Sequence, residues 1–121
     1  MALTVEIDGD GARVVDTAAG RPVWGPSLVT STSITEFVAH KIVYATGSSG
    51  VAVSFGGVSA AKVLVVKASG LITLTLTVNS VPLAIAMSGV FVLNNSSGQI
   101  TAATVGQSTG SDVTVDILVA G

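Results

Sequence analysis

The chain has no cysteine, one histidine and few charged residues, which make up only 10% of it. Without thiols it forms no disulfide and offers no thiolate to a metal, which fits a cytosolic origin. Phosphate binding needs basic groups gathered on one face. The basic residues are instead scattered along the chain: Arg13, Arg21, Lys41, Lys62 and Lys67. We therefore expect no nucleic-acid partner.

Long apolar runs are also missing, although 49% of the residues are hydrophobic. No stretch reaches the roughly 18 apolar residues that a membrane helix needs. The first eleven residues carry Glu6, Asp8 and Asp10 without a basic segment, which predicts no signal peptide. We expect no membrane partner.

The scarcity of charge predicts an unusual surface. At 121 residues and 11.9 kDa the chain has the size of one domain, which exposes about 6,000 Å² when folded. Seven acidic and five basic side chains are too few to cover that area. Neutral Thr, Ser, Gly and Ala must therefore face outward, and we expect part of this surface to face another protein.

Apolar residues alternate with polar ones through most of the chain, which is the pattern of strands. In 71–78 the apolar side chains Ile72, Leu74 and Leu76 share one face and threonines the other. Turns are predicted at Asn79-Ser80 and at Ser88-Gly89, between strands 71–78, 81–87 and 90–93. The remaining predicted strands of this part are 37–45, 51–55, 62–67, 100–105 and 113–119. Residues 62–67 are apolar on both faces, which suits a central strand covered on two sides.

About eight short strands joined by turns predict an all-β fold. We expect an antiparallel jelly-roll-like β-sandwich over 37–121, preceded by an extended N-terminal hairpin and arm over 1–36. Strands 3–7 and 12–15 form the hairpin, and two prolines stiffen the segment 17–26 that follows. That segment cannot close a core alone, and Trp is enriched at interfaces. The predicted oligomer or capsid contact therefore comprises Arg21, Pro22, Val23, Trp24 and Pro26.

No group of residues has the spacing of a catalytic or metal site. Asp8-Gly9-Asp10-Gly11 fits a hairpin turn, with a weak cation site as the alternative, because the later ligands of a calcium loop are missing. Ser59-Ala60-Ala61-Lys62 matches S-x-x-K, but it leads into a strand, where residues three apart lie on opposite faces. His40 has no sequence neighbours suited to a metal or a triad. We expect no enzyme, no cofactor and no metal.

The aromatic residues are too few and too dispersed for a stacking site. Phe37, Phe55 and Phe91 are predicted in the core. A carbohydrate-binding module remains the alternative, and it would need an exposed aromatic such as Tyr44 or a site in the loop 94–97.

Three segments resemble small β-sandwich virion proteins of tailed bacteriophages: 62–79 (KVLVVKASGLITLTLTVN), 89–95 (GVFVLNN) and 113–121 (VTVDILVAG). The resemblance covers about the last 60 residues and brings no catalytic residues with it. It implies a capsid decoration, or cement, protein, which binds the outer capsid surface and stabilises the shell. The expected partners are its own copies, as a homotrimer, and the major capsid protein. The expected location is the virion, assembled in the host cytoplasm, and the alternative is a tail or spike component.

Overall fold

The computed structural model describes the backbone of residues 3–8, 11–16 and 21–24 and all atoms of residues 32–121. The chain divides into two compact units, Met1–Ser31 and Thr32–Gly121. The first unit contains an antiparallel sheet in the order β1-β2-β3, with β1 at Leu3–Asp8, β2 at Gly11–Asp16 and β3 at Arg21–Trp24. Pairing of Asp8 with Gly11 forms the predicted hairpin. The turn residues 9–10 lie outside the described part.

The second unit is an antiparallel sheet, and no helix occurs in the described residues. Its strands are β4 (Phe37–Tyr44), β5 (Val51–Ala52), β6 (Val63–Val78), β7 (Val81–Asn94), β8 (Ile100–Gly106) and β9 (Val113–Ala120). The all-β antiparallel prediction is therefore confirmed. The predicted strand 51–55 is wrong in length, since β5 ends at Ala52 and the chain turns at Gly56 with a φ of 56°.

Strand β6 is the centre of this sheet, whose order is β4-β9-β6-β8-β5. One edge of β6 pairs with β7 along its length, and the other pairs first with β9 and then with β8. We call β4, β9 and the adjoining residues 63–68 and 89–94 the first half-sheet. The second half-sheet comprises β5, β8 and the adjoining residues 72–78 and 81–87.

Strands β6 and β7 form a long hairpin that bends once along its length. The sequence predicted interruptions there instead, a break between strands 62–67 and 71–78 and a turn at Ser88-Gly89. The ladder between β6 and β7 shifts register between Ala68 and Ile72, where three residues of β6 lie opposite Ser88. Such a bulge bends a strand without ending it. Gly89 adopts a left-handed φ of 84°, and a Cβ on Gly70 would lie 3.2 Å from a Val113 methyl group. The predicted turn at Ser88-Gly89 was therefore wrong, whereas Asn79-Ser80 is a two-residue hairpin turn with φ of 51° and 63°.

The bend lets the inner faces of both half-sheets share one hydrophobic core. Alternate residues of β6 point into it, as the alternation predicts for Ile72, Leu74 and Leu76. Strand β9 contributes the same pattern, with its odd-numbered residues buried from Val113 to Val119. The outward-facing residues of the two half-sheets therefore form two separate outer surfaces.

Candidate interaction surface

The outer side of the first half-sheet carries apolar side chains in register across four strands. Val92 pairs with Val65, Val65 with Leu118, and Leu118 with Ala39. Paired side chains in neighbouring strands lie about 5 Å apart, so that this row is continuous. We call the apolar face the set Phe37, Ala39, Val43, Val63, Val65, Val90, Val92 and Leu118.

The margins of the apolar face are open to solvent. Phe37 is 67% exposed, Val43 60% and Val92 59%. A single charged row crosses the surface, in which the register places Asp116 between Lys41 and Lys67. Each lysine of this row therefore has the opposite charge of Asp116 beside it. The partial balance of charge limits electrostatic repulsion between this surface and a partner of either charge.

Valines on both faces of residues 63–66 explain why this surface is unusual. Leu64 and Val66 are fully buried in the core, whereas Val63 and Val65 point the other way and are half-buried. The sequence pattern predicted a strand covered on both sides. Within the described residues the chain covers only the inner side, and the outer side retains an apolar surface of the kind that binds other proteins.

The outer side of the second half-sheet has a different chemistry. Three threonines of β6 point outward, and the register sets Ala102, Thr104 and Gly106 beside them. On the other side they pair with Pro82, Ala84 and Ala86 of β7. This neutral, small-residue surface is of the kind that the composition predicts to face outward.

A shallow pocket of about 470 Å³ opens on the second half-sheet. Its walls are glycines and hydroxyl or amide side chains, including Ser49, Thr73, Thr75, Thr104 and Gln107. No charged or aromatic side chain lines it. The pocket can offer hydrogen bonds to a neutral polar ligand, but it has neither a base nor a stacking platform.

Gln107 lines one end of this pocket and links the two half-sheets by hydrogen bonds. Its Nε2 donates to the carbonyl oxygens of Tyr44, at 2.8 Å, and Ser111, at 3.1 Å. Its Oε1 accepts from the backbone N–H and the hydroxyl of Thr109. Tyr44 ends β4 of the first half-sheet and Gln107 follows β8 of the second, so that this buried amide fixes their separation.

The aromatic residues are placed differently from the prediction in two cases. Phe55 and Phe91 pack against the core as expected, but Phe37 points outward from β4 and the core prediction for it was wrong. Tyr44 is 3% exposed and cannot serve as a stacking platform for a sugar. Its hydroxyl has no hydrogen-bond partner, and desolvation by burial raises its pKa.

The other candidate groups do not converge on a reactive site. His40 Nε2 donates to the Ser54 carbonyl oxygen at 2.9 Å, and Lys62 Nζ donates to the Ser33 carbonyl oxygen at 3.2 Å. Lys62 is thereby engaged away from Ser59, which is exposed. Within the described part of the chain, no three His, Cys, Asp or Glu residues are grouped to hold a metal ion.

The predicted contact segment lies in the first unit. Arg21, Pro22, Val23 and Trp24 form β3, which pairs with β2, and their side chains lie outside the description. Pro26 lies outside the described residues altogether. The apolar face was not predicted as a site, although two signals for it were present. Residues 63–66 and 90–93 are apolar at both odd and even positions, and a solvated strand face has no need of that pattern.

No protein-family model matches this chain, and no curated protein is similar to it at a significant level. Among the described residues, no helix is long and apolar enough to cross a membrane.

Proposed function

We propose that the chain is a non-enzymatic structural protein of a tailed-phage virion, of the capsid decoration type. It binds the outer capsid surface as an oligomer of its own copies, with a homotrimer as the basic form. It joins the shell in the host cytoplasm, and the major capsid protein is its partner. The observation that supports this proposal most directly is the apolar face, because it presents an organised apolar surface to another protein.

The charge of the second unit adds support. Within residues 32–121 the positive charges of Lys41, Lys62 and Lys67 are balanced by Glu36, Asp112 and Asp116. A neutral surface with large exposed apolar side chains favours association over dispersal in water. A protein that binds only the assembled shell stabilises that shell by mass action, which is the physical basis of a cement function.

Two finer parts of the proposal concern the fold and the first unit. A jelly-roll sandwich is the arrangement that we propose for the curled sheet, in keeping with the resemblance to virion proteins. The segment 21–26 is proposed as a further subunit or capsid contact with Trp24 as its anchor. Trp24→Ala would then weaken both assembly and capsid binding, and unchanged binding and mass would remove the anchor from the proposal.

Capsid binding is tested by sedimentation of the chain with intact phage capsids that lack their decoration layer. We expect wild type to co-sediment and to raise the temperature at which the capsids release their DNA. Val43→Lys should reduce binding at least tenfold, because it places a charge in the apolar face. Ala102→Lys on the outer side of the second half-sheet is the matched control and should bind normally. Equal binding of both variants would contradict the proposed use of the apolar face.

The hydroxyl-lined pocket favours a second candidate function, a carbohydrate-binding tail or spike component. Serine and threonine hydroxyls can replace the hydration of a neutral sugar, although the described pocket lacks an aromatic wall. A glycan array should then give hits that Thr104→Val abolishes. An array without hits would remove this candidate.

A further inference from the structure

We propose that the free edge of β7 pairs, antiparallel and across a twofold axis, with β7 of a second copy of this chain. The proposal rests on the self-assembly in the proposed function and adds to it a twofold contact, which joins two copies or, where copies form trimers, two trimers. It concerns the edge of the sheet, whereas capsid binding was assigned to the apolar face.

Strand β7 is a long edge that carries no charge. Among the described strands it pairs only with β6, and its 14 residues from Val81 to Asn94 include no Asp, Glu, Lys or Arg. At about 3.4 Å per residue such a strand is roughly 48 Å long. An exposed, apolar strand edge of this length is a template for another strand.

The other edges of the same sheet have features that discourage pairing. Strand β5 is only two residues long. Strand β4 is shorter than β7 and presents Lys41, which is exposed, in its middle. Short length, an edge lysine and an edge proline are among the means by which sheets avoid association. Strand β7 is long and has no lysine, and its one proline, Pro82, is the second residue of the strand, which leaves the remainder free to pair.

Both faces of β7 leave apolar side chains uncovered. Val81 and Leu83 point to the inner side yet are 61% and 51% exposed, because the end of the hairpin extends past the core. Val90 and Val92 point to the outer side and are also exposed. A strand added at this edge would bring side chains to both faces at once, which a partner lying on one face alone could not do.

The position of the bend favours an identical strand as the occupant. Ser88 and Gly89 lie at the middle of β7, where its register with β6 shifts. A twofold axis through this point places the bend of one copy beside the bend of the other. Both sheets then curve to the same side, and their pairing continues through the bend. Because β7 has no charge, the symmetric pairing also brings no like charges together.

The backbone supplies enough hydrogen bonds for a stable dimer. Since Val78 and Val81 flank a two-residue turn, the next pair, Thr77 with Pro82, does not exchange hydrogen bonds. The nitrogen of Pro82 therefore faces the free edge and gives no donor there. Beyond it, about half of the residues from Leu83 to Leu93 point to the edge, which gives about ten bonds between two copies. That number equals the hydrogen bonds of a standard protein interface.

The first test is the solution mass across a dilution series. A twofold contact gives an even number of copies, either a dimer or, where copies also form trimers, a hexamer. Val92→Lys should halve that mass or raise the dissociation constant at least tenfold. Val51→Lys is the control, because Val51 is an exposed valine on the edge strand β5 and belongs neither to β7 nor to the apolar face, and it should leave the mass unchanged. A wild-type monomer or trimer, or equal behaviour of the two variants, would overturn the proposal.

A cross-link supplies a second readout, which does not depend on how far a substitution lowers the stability of the fold. Because the chain has no cysteine, Ser88→Cys gives a unique thiol near the proposed axis. Under mild oxidation it should form a disulfide-linked dimer whose yield is constant on dilution. Ser59→Cys, exposed and outside β7, is the control and should remain monomeric on a non-reducing gel. Equal cross-linking of both variants would count against the axis.

These results separate the two proposals. A dimer that cross-links through Ser88→Cys but ignores capsids would retain the β7 contact and reject the decoration function. A chain that binds capsids as a trimer at every concentration would retain the decoration function and reject the β7 contact.

Discussion

The two half-sheets share strands β6 and β7 and a single core, yet their outer sides differ. Along β6 the outward positions are Val63, Val65 and Lys67 in the first half-sheet and threonines in the second. Along β7 they are Val90 and Val92 in the first half-sheet, and proline and alanine in the second. The inner sides, by contrast, are apolar except at His40, which pairs with the buried Ile117. Because the same strands accept threonine in one half, folding alone does not require valine in the other. The difference therefore points to what lies outside each surface.

Substitutions in the core that both half-sheets share should have the largest effect on stability. Leu64 and Leu74 are both fully buried, one in each half-sheet. Leu64→Ala and Leu74→Ala should each lower the free energy of unfolding by about 3 kcal/mol, since each leaves a cavity in the same core. Urea denaturation followed by circular dichroism measures both. Thr73→Ala, on the outer side, is the control and should stay within about 1 kcal/mol of wild type. Loss in one half-sheet without effect on the other would show that they unfold separately.

Loss of the Gln107 hydrogen bonds between the half-sheets should have the next largest effect on stability. Gln107→Ala should cost about 2 kcal/mol, because it leaves the carbonyl oxygen of Tyr44 without its buried donor. Gln99→Ala is the matched control, since the Gln99 side chain accepts one bond, from Asn95 Nδ2 at 3.3 Å. Its cost should be under about 1 kcal/mol. Thermal melts at neutral pH compare the two variants, and equal melting temperatures would contradict the role of Gln107.

The bend that separates the half-sheets has a smaller effect. Gly70→Ala should lower the free energy of unfolding by about 1 kcal/mol, because the added methyl group meets Val113. Gly110→Ala adds the same methyl group where no atom lies within 4 Å and should be nearly neutral. Chemical denaturation of both proteins measures the difference. A Gly70→Ala protein as stable as Gly110→Ala would mean that the bend tolerates a side chain.

Tyr44 offers a test in the opposite direction. Tyr44→Phe keeps the ring in the core and removes a buried hydroxyl that has no partner. The variant should be more stable than wild type by about 1 kcal/mol. Phe55→Leu, which alters another aromatic packed against the core without removing a polar atom, serves as the control and should not be stabilising. A destabilised Tyr44→Phe protein would indicate that the hydroxyl has a function in the fold.

The same residue sets the smallest expected effect, a loss of stability at high pH. Burial raises the pKa of Tyr44 above its ordinary value of 10.0. The unfolded chain therefore releases this proton first, so that this contribution to stability is complete below pH 10 and declines as pH rises above it. Tyr44 is the only tyrosine, and its ultraviolet absorbance titration should show a midpoint above 10. In Tyr44→Phe the alkaline decline should be shallower, and a midpoint at or below 10 would contradict the burial argument.

Much of the strand content could be predicted because alternation reports directly on burial. The inward positions of β6 and β9 were evident from the sequence, as was the turn at Asn79-Ser80, where a short hairpin needs residues that tolerate positive φ. The two bends were predicted as a break and a turn because serine and glycine occur in both. Only the pairing of Ala68 with Gly89 shows that the two strands bend at one level and continue.

The candidate site was harder to predict for a related reason. Alternation indicates that both faces of 63–66 are covered, but it does not say whether the cover comes from this chain or from another. Phe37 shows the same limit, since its hydrophobicity predicts burial whereas its outward position in an edge strand leaves it exposed.

The sequence by itself determined that the chain is all-β, which residues of β6 and β9 face inward, and that its surface is poor in charge, because these properties depend on residue type and local spacing. The tertiary structure decided which strands adjoin, that β6 and β7 are continuous, and that most of the large exposed apolar side chains lie on one half-sheet or along one edge. These features depend on pairings between residues far apart in the chain, and no local pattern encodes the register that joins Val92, Val65 and Leu118 in one row.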